Sequence, residues 1–162
     1  MNAPSLKHTA TLLFPLLLAS QSASAATTAT GPSALALAAV IAPHSPLLNQ
    51  QEKHVIAGLF DGQSNVTSNT KISVKADVVD CRESDVDLTS RSCKLSFGSA
   101  SANLSGRNAH EIYATIFEAG VPPDGGAGTI HESLSQLACI IDPAEIVQKS
   151  GGGADCTFEP NP

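Results

Sequence analysis

The sequence predicts an α+β domain made of two tandem helix-strand-strand units, with four antiparallel strands in one sheet, the helices on one face, and two disulfides. Three observations predict it. A helical apolar stripe occurs twice, as Val55, Ile56, Leu59 and Phe60 and again as Ala109, Ile112, Tyr113, Ile116 and Phe117, the spacing of a 3.6-residue period. Each stripe is followed by an apolar segment that reaches a cysteine, Cys81 in the first case and Cys139 in the second. Each segment is followed by a second cysteine on a short apolar stretch, Cys93 with Leu95 and Phe97, and Cys156 with Phe158. The pseudo-repeats run over about residues 45–98 and 104–159, inside one domain of residues 34–162.

The chain opens with a pattern that does not belong to the fold. Lys7 and His8 precede the apolar run from Thr11 to Ala19, and Ala23-Ser24-Ala25 follows, which is the layout of a secretory signal with a small-x-small cleavage site. The run is too short for a bilayer span of about 20 residues. Residues 1–25 are expected to be removed near Ala25, leaving a periplasmic or secreted chain with no transmembrane anchor. That removal takes one cation, Lys7, and no acid, so eight cations face fifteen acids, a net charge of about −7 with histidines neutral. Such an acidic surface repels phosphate backbones and anionic lipid heads, so nucleic acid is not an expected partner.

Residues 26–33, Ala-Thr-Thr-Ala-Thr-Gly-Pro-Ser, read as a flexible leader of small polar residues. Ala34 to Ala42 is apolar and is stopped by Pro43 and Pro46, which suits a short helix on the core; alternation of Leu35, Leu37, Ala39 and Ile41 also suits a strand. Asn49 with Glu52 has capping-box spacing and starts the first striped helix, which Gly62 ends. Ile72, Val74, Ala76 and Val78 alternate with polar residues as a half-buried strand does. Cys81 and Val79 lie on the other parity, which predicts a bulge near Val78 and Val79. The second striped helix starts near Ser105 and ends at Gly120, and the Pro- and Gly-rich segment from Val121 to Gly128 is a surface loop. Residues 130–141 carry both signals, since Thr129 with Glu132 caps a helix while correspondence with the first unit asks for a strand; a strand is expected. Asp142, Pro143 and Glu145 start a helical turn that Gly151 to Gly153 end, and Ala154 to Glu159 is the closing strand.

Four cysteines in an exported chain read as two bridges. Local pairing, Cys81 with Cys93 and Cys139 with Cys156, is expected, at about 3 kcal/mol each on the chain-entropy argument. Pairing of the first with the third and the second with the fourth is the alternative. Zinc is disfavoured because no Cys-x-x-Cys occurs.

The candidates for chemistry are weak. His44, His54, His110 and His131 include two His-Glu dipeptides, but neither extends to His-Glu-x-x-His. Asp77, Asp80, Glu83, Asp85 and Asp87 form the densest acidic run, yet their spacing is not that of a calcium loop, and Lys75, Arg82 and Arg91 can neutralise them. Ser68 and Lys71 match a Ser-x-x-Lys spacing and nothing else of the enzymes that use it. Asn65 and Asn103 begin glycosylation sequons, meaningful only in a eukaryotic secretory route. No cofactor, resident metal or catalytic residue is therefore assigned. The expected function is non-catalytic binding of a protein or cell-envelope partner through the loops 82–92, 120–128 and 142–153. Asp85, Asp87, Pro122, Pro123, Asp124 and Lys149 are the candidate contact residues. The alternatives are a small hydrolase or metal-dependent enzyme of the periplasm built on His54, His110 and the acidic run, and a structural envelope component.

Overall fold

The computed structural model describes residues 27–63, 68–84, 90–121, 129–148 and 152–161. The signal-like segment 1–25 lies outside them. In chain order the elements are β1 (Thr27–Thr30), α1 (Pro32–Ile41), α2 (Gln50–Phe60), β2 (Ile72–Ala76), β3 (Val78–Ser84), β4 (Ser92–Phe97), β5 (Ala100–Ser105), α3 (Gly106–Glu118), β6 (Thr129–Ile141), α4 (Pro143–Gln148) and β7 (Ala154–Pro160). A 3-10 turn, Ala42–His44, follows α1.

Among the described residues the sheet has seven strands where four were expected, in the order β1-β7-β6-β3-β4-β5, with β2 paired to β6, and each of these pairings is antiparallel. Two of the additional strands occupy the edges. Thr27–Thr30, read from composition as a leader, pairs with β7 from Thr27↔Phe158 to Thr30↔Asp155. Three of its four residues are β-branched threonines, which favour extended backbone, and β7 supplies the ladder partners that a reading by polarity alone does not weigh. At the other edge Phe97 pairs with Ala100 across Gly98 and Ser99. Gly98 has φ 62°, as the first position of a type II′ hairpin requires, and its N–H donates to Asp77 Oδ2 at 2.5 Å.

The ribbon from Ile72 to Ser84, expected as a single strand with a bulge, is two strands. β2 and β3 keep a single register against β6, from Ile72↔Ile141 to Ser84↔Thr129. Their buried face nevertheless switches, from Ile72, Val74 and Ala76 to Val79, Cys81 and Glu83. The expected irregularity falls at Asp77, whose N–H donates to the Ser96 carbonyl. Opposite it, β6 switches face between Leu134 and Leu137, and its ladder with β7 shifts between Leu134 and Gln136. Ser135, the extra residue, turns its hydroxyl to the carbonyls of Glu159 and Pro160. Residues 129–141 are thus strand throughout, and the cross-strand partners on both sides outweigh the helical capping signal at Thr129.

The helices form for local reasons and stay for packing. Asn49 and Glu52 make both bonds of the capping box at α2, at 2.8 and 2.9 Å. α2 and α3 end alike: the N–H of Gly62 and Gln63 donate to Leu59 and Gly58, and those of Gly120 and Val121 to Phe117 and Ile116, the paired bonds of a Schellman motif. α1 lies on β7, β6 and β2 with α2 and α3 beside it, and α3 lies on β4, β5 and β3. From Ala34 to Ala42 no residue is exposed. Burying a side chain such as Leu37 or Ile41 contributes about 1.5–3 kcal/mol each, so this short helix anchors the core.

Two stripe residues are not core. Phe60 and Phe117 are each 53% exposed. Leu59 and Ile116, in the same last turns, are buried, so each Phe stands at the rim of its stripe; Phe117 stacks instead on Tyr113, ring centroids 6.2 Å apart. The helices over the two disulfide-bridged strand pairs also differ from the expected units. α2, assigned to the first unit, packs against α1 and α4, while α3 covers β3 and β4.

Candidate functional site

All four cysteines are bridged, Cys81 to Cys93 and Cys139 to Cys156. Each bridge joins residues directly opposite in an antiparallel ladder, on the buried face. The first lies three residues before the end of β3, and so braces the strands from which the 85–89 segment leaves.

β6 separates the expected binding loops. At one end Ser84 pairs with Thr129, the residues that flank the segments 85–89 and 122–128. At the other end Ile141 pairs with Ala154, bounding the 142–153 segment. Thirteen strand residues at about 3.3 Å each put the two ends roughly 40 Å apart. The described flanks therefore fall in two places: Ser84 beside Thr129 at one end of β6, and Ile141 beside Ala154 at the other. The candidate contact residues Asp85, Asp87, Pro122, Pro123, Asp124 and Lys149 lie outside the described residues, as does the Asn65 sequon.

Next to the first end, the outward face of the sheet is polar. Alternation turns Asp80 and Arg82 of β3, Ser92 and Lys94 of β4, and Asn103 of β5 away from the core, along with His131 and Ser133 of β6. Register aligns Ser133, Asp80, Lys94 and Asn103 in one row and His131, Arg82, Ser92 and Ser105 in the next. His131 Nε2 lies 3.1 Å from Asp80 Oδ1, and Arg82 Nε donates to the same oxygen at 3.3 Å. Burial pushes the Asp80 carboxyl up, but Arg82 and then His131, by hydrogen bond and charge, outweigh it and hold the group below the ordinary carboxylate value of 3.8. Lys94, opposite Asp80 in the ladder, makes no ion pair among the described residues. An open groove of about 390 Å³ runs over this face, lined by Asp80, Arg82, Ser92, Cys93, Lys94 and Asn103.

The described members of the acidic run, Asp77, Asp80 and Glu83, do not converge. Asp80 points out, whereas Glu83, 3% exposed, points in and lies 2.8 Å from Arg91 Nε. The Nε–H is not aimed along that approach, so the attraction is one of charge more than of a directed bond. Asp77 serves the β4–β5 hairpin and approaches Lys75 at 4.0 Å. Among the described residues no three His, Cys, Asp or Glu side chains gather as a metal site would need.

The other candidates separate. The Ser68 hydroxyl closes a turn with Thr70, and Lys71 pairs with Asp142 at 3.4 Å, so the Ser-x-x-Lys residues serve different contacts. Asp142 caps α4 by accepting from the Glu145 N–H at 3.1 Å. That backbone bond, with help from Lys71, holds its carboxyl below the ordinary value. Among the described residues it is His131, not His54 or His110, that sits beside a carboxylate. Sequence reasoning passed over the Arg82, Lys94, Asn103 and His131 grouping, although a signal existed. A Cys81–Cys93 bridge between antiparallel strands sets Asp80 opposite Lys94 with no further information. No protein-family model, no curated protein and no solved structure matches this chain.

Proposed function

We propose that the chain is an exported protein that binds a protein or cell-envelope partner without chemistry of its own. The contact region is the end of the sheet from which segments 85–89 and 122–128 leave, together with the polar outward face beside it. The observation that carries this reading is the Ser84↔Thr129 pairing, which brings the strand residues flanking the two segments together beside the Cys81–Cys93 bridge. Recognition residues are commonly carried on loops held by a rigid scaffold. Export is supported by the bridging of all four cysteines, which fits an oxidising compartment, and by the signal-like residues 1–25. Among the described residues no helix is long and apolar enough to cross a membrane. Cleavage near Ala25 would leave a periplasmic or secreted chain that begins just before β1.

The test is capture of partners from envelope extracts by the mature protein at near-physiological salt. A specific partner should be retained by wild type and by Lys149→Ala, and lost by the double variant Asp85→Ala, Asp87→Ala or by Asp124→Ala. Loss on Lys149→Ala alone would move the contact to the far end of β6. The rival reading, a small hydrolase, draws on the His131–Asp80 contact; turnover in a broad hydrolase screen, abolished by His131→Ala, would replace the binding reading.

A further inference from the structure

The outward groove over β3, β4 and β5 holds a lysine that its own neighbourhood leaves uncompensated. In a chain of fifteen acids and nine cations, Lys71, Lys75, Arg82 and Arg91 each approach a carboxylate. Lys94 faces Asp80 across the β3–β4 ladder and would be expected to take it. Instead Asp80 Oδ1 is taken by Arg82 from the same strand and by His131 from β6. The Arg82 bond uses Nε, so its outer N–H groups, on a side chain 64% exposed, remain for another acceptor. Asn103, directly opposite Lys94 on β5, and Ser92 add neutral donors to the same groove.

We infer that this groove is a carboxylate-binding site, in which Lys94 and the outer edge of Arg82 hold the anion and Asn103 and Ser92 donate to it. The inference deepens the binding function proposed above and rests on it. Two cations against one carboxylate leave a single positive charge, which suits a monoanion. A phosphate dianion would meet the fixed charge of Asp80 with no second cation to balance it. Asp80 acts here as a positioning residue, since its bond to Nε aims the guanidinium fork that carboxylates fit.

The carboxylate can come from a free small acid or from the acidic residues of a protein, and the experiment has an arm for each. Mature wild-type protein is followed by two-dimensional amide NMR while sodium acetate, or the capped peptide acetyl-Glu-Glu-Ala-amide, is added at constant ionic strength. Saturable shifts are expected at the Asn103 side-chain amide and the Lys94 backbone amide. Lys94→Gln should weaken them by roughly tenfold or more, while Lys53→Gln, on α2, should leave them unchanged. A peptide bound roughly tenfold tighter than acetate assigns the group to a protein, and equal affinities assign it to a free acid. The inference is overturned by the absence of saturable shifts with both probes, by equal binding to the Lys94→Gln protein, or by inorganic phosphate binding more tightly than either. Capture from envelope extracts separates the two levels: wild-type protein that captures a partner but shows no carboxylate shifts removes the groove and keeps the binding function. Carboxylate shifts without any captured partner keep the groove and remove the proposed partner.

Discussion

The two disulfides are built alike and covered differently. A Cys93 sulfur lies 3.4 Å from the carbonyl oxygen of Ala109 in α3, and a Cys156 sulfur 3.5 Å from that of Ala34 in α1. In both places the helix residue is a fully buried alanine, because only a small side chain lets a helix backbone come so near a bridge. Beyond α3, however, there is solvent at Arg107, Asn108, Phe117 and Glu118, while in α1 no residue after Ser33 is exposed. The bridge under α3 therefore belongs to a half-solvated layer whose other face carries Asp80, Arg82 and Lys94. The bridge under α1 belongs to the centre of the core. Identical braces thus serve two different purposes, one steadying a surface and one closing the interior.

The largest effect that would sharpen this contrast is expected at Leu37→Ala in α1, which should cost about 2–5 kcal/mol in urea unfolding. A loss below about 1 kcal/mol would show that α1 is not the anchor its burial indicates. Next come the bridges themselves. Replacing both cysteines of either pair by alanine should cost about 3 kcal/mol, and nearly the same for both, since loops of 12 and 17 residues differ little in closure entropy. If removing Cys139 and Cys156 costs more than the other pair by over about 1 kcal/mol, the helix cover and not the chain entropy sets the contribution.

A smaller effect is expected at the solvated end of α3. Phe117→Ala should change stability by no more than about 1 kcal/mol, the range of an exposed site with one stacking partner. A loss of about 3 kcal/mol would put the residue in the core after all. The smallest effect concerns Asp80. Its carboxyl is held below its unfolded value of 3.8, so the stability it adds is present above that pH and is lost as pH falls through the lower folded value. The Tm of wild type should exceed that of Asp80→Asn at neutral pH, and the gap should close as pH is taken below 3.8. A gap that stays constant down to about pH 2 would show that charge contributes nothing there.

The contrast also shows what the sequence makes legible. Capping at Asn49, the glycine stops at positions 62 and 120, and the local cysteine pairing are short-range features, and each can be read from a few residues. Which helix covers which bridge is decided by contacts far apart in the chain, such as Ala34 with Cys156, 122 residues away, and periodicity carries no trace of them. β1 is a mixed case, because its threonines favour extended backbone but its place at the sheet edge comes from pairing with β7, far along the chain. The Phe97-Gly98-Ser99-Ala100 turn was readable as a hairpin, and with it β5. Asp80, Lys94 and Asn103 share a row that parity and one bridge could have placed. His131, in the next row, comes beside Asp80 only through the β3–β6 register, which nothing local encodes.

The matched irregularity at Asp77 and Ser135 ties the lengths of two distant stretches of chain together. β2, β3 and β6 stay in one register because each ribbon carries one additional residue at the same height. Deleting Asp77 alone would slide Ile72, Val74 and Ala76 one place along β6, and deleting Ser135 alone would slide Leu137, Cys139 and Ile141 the other way. Either slip puts inward side chains opposite outward ones. Deleting both would restore alternation and pairing together. In a diverging lineage these two positions would be gained or lost as a pair, so a gap at one should be accompanied by a gap at the other.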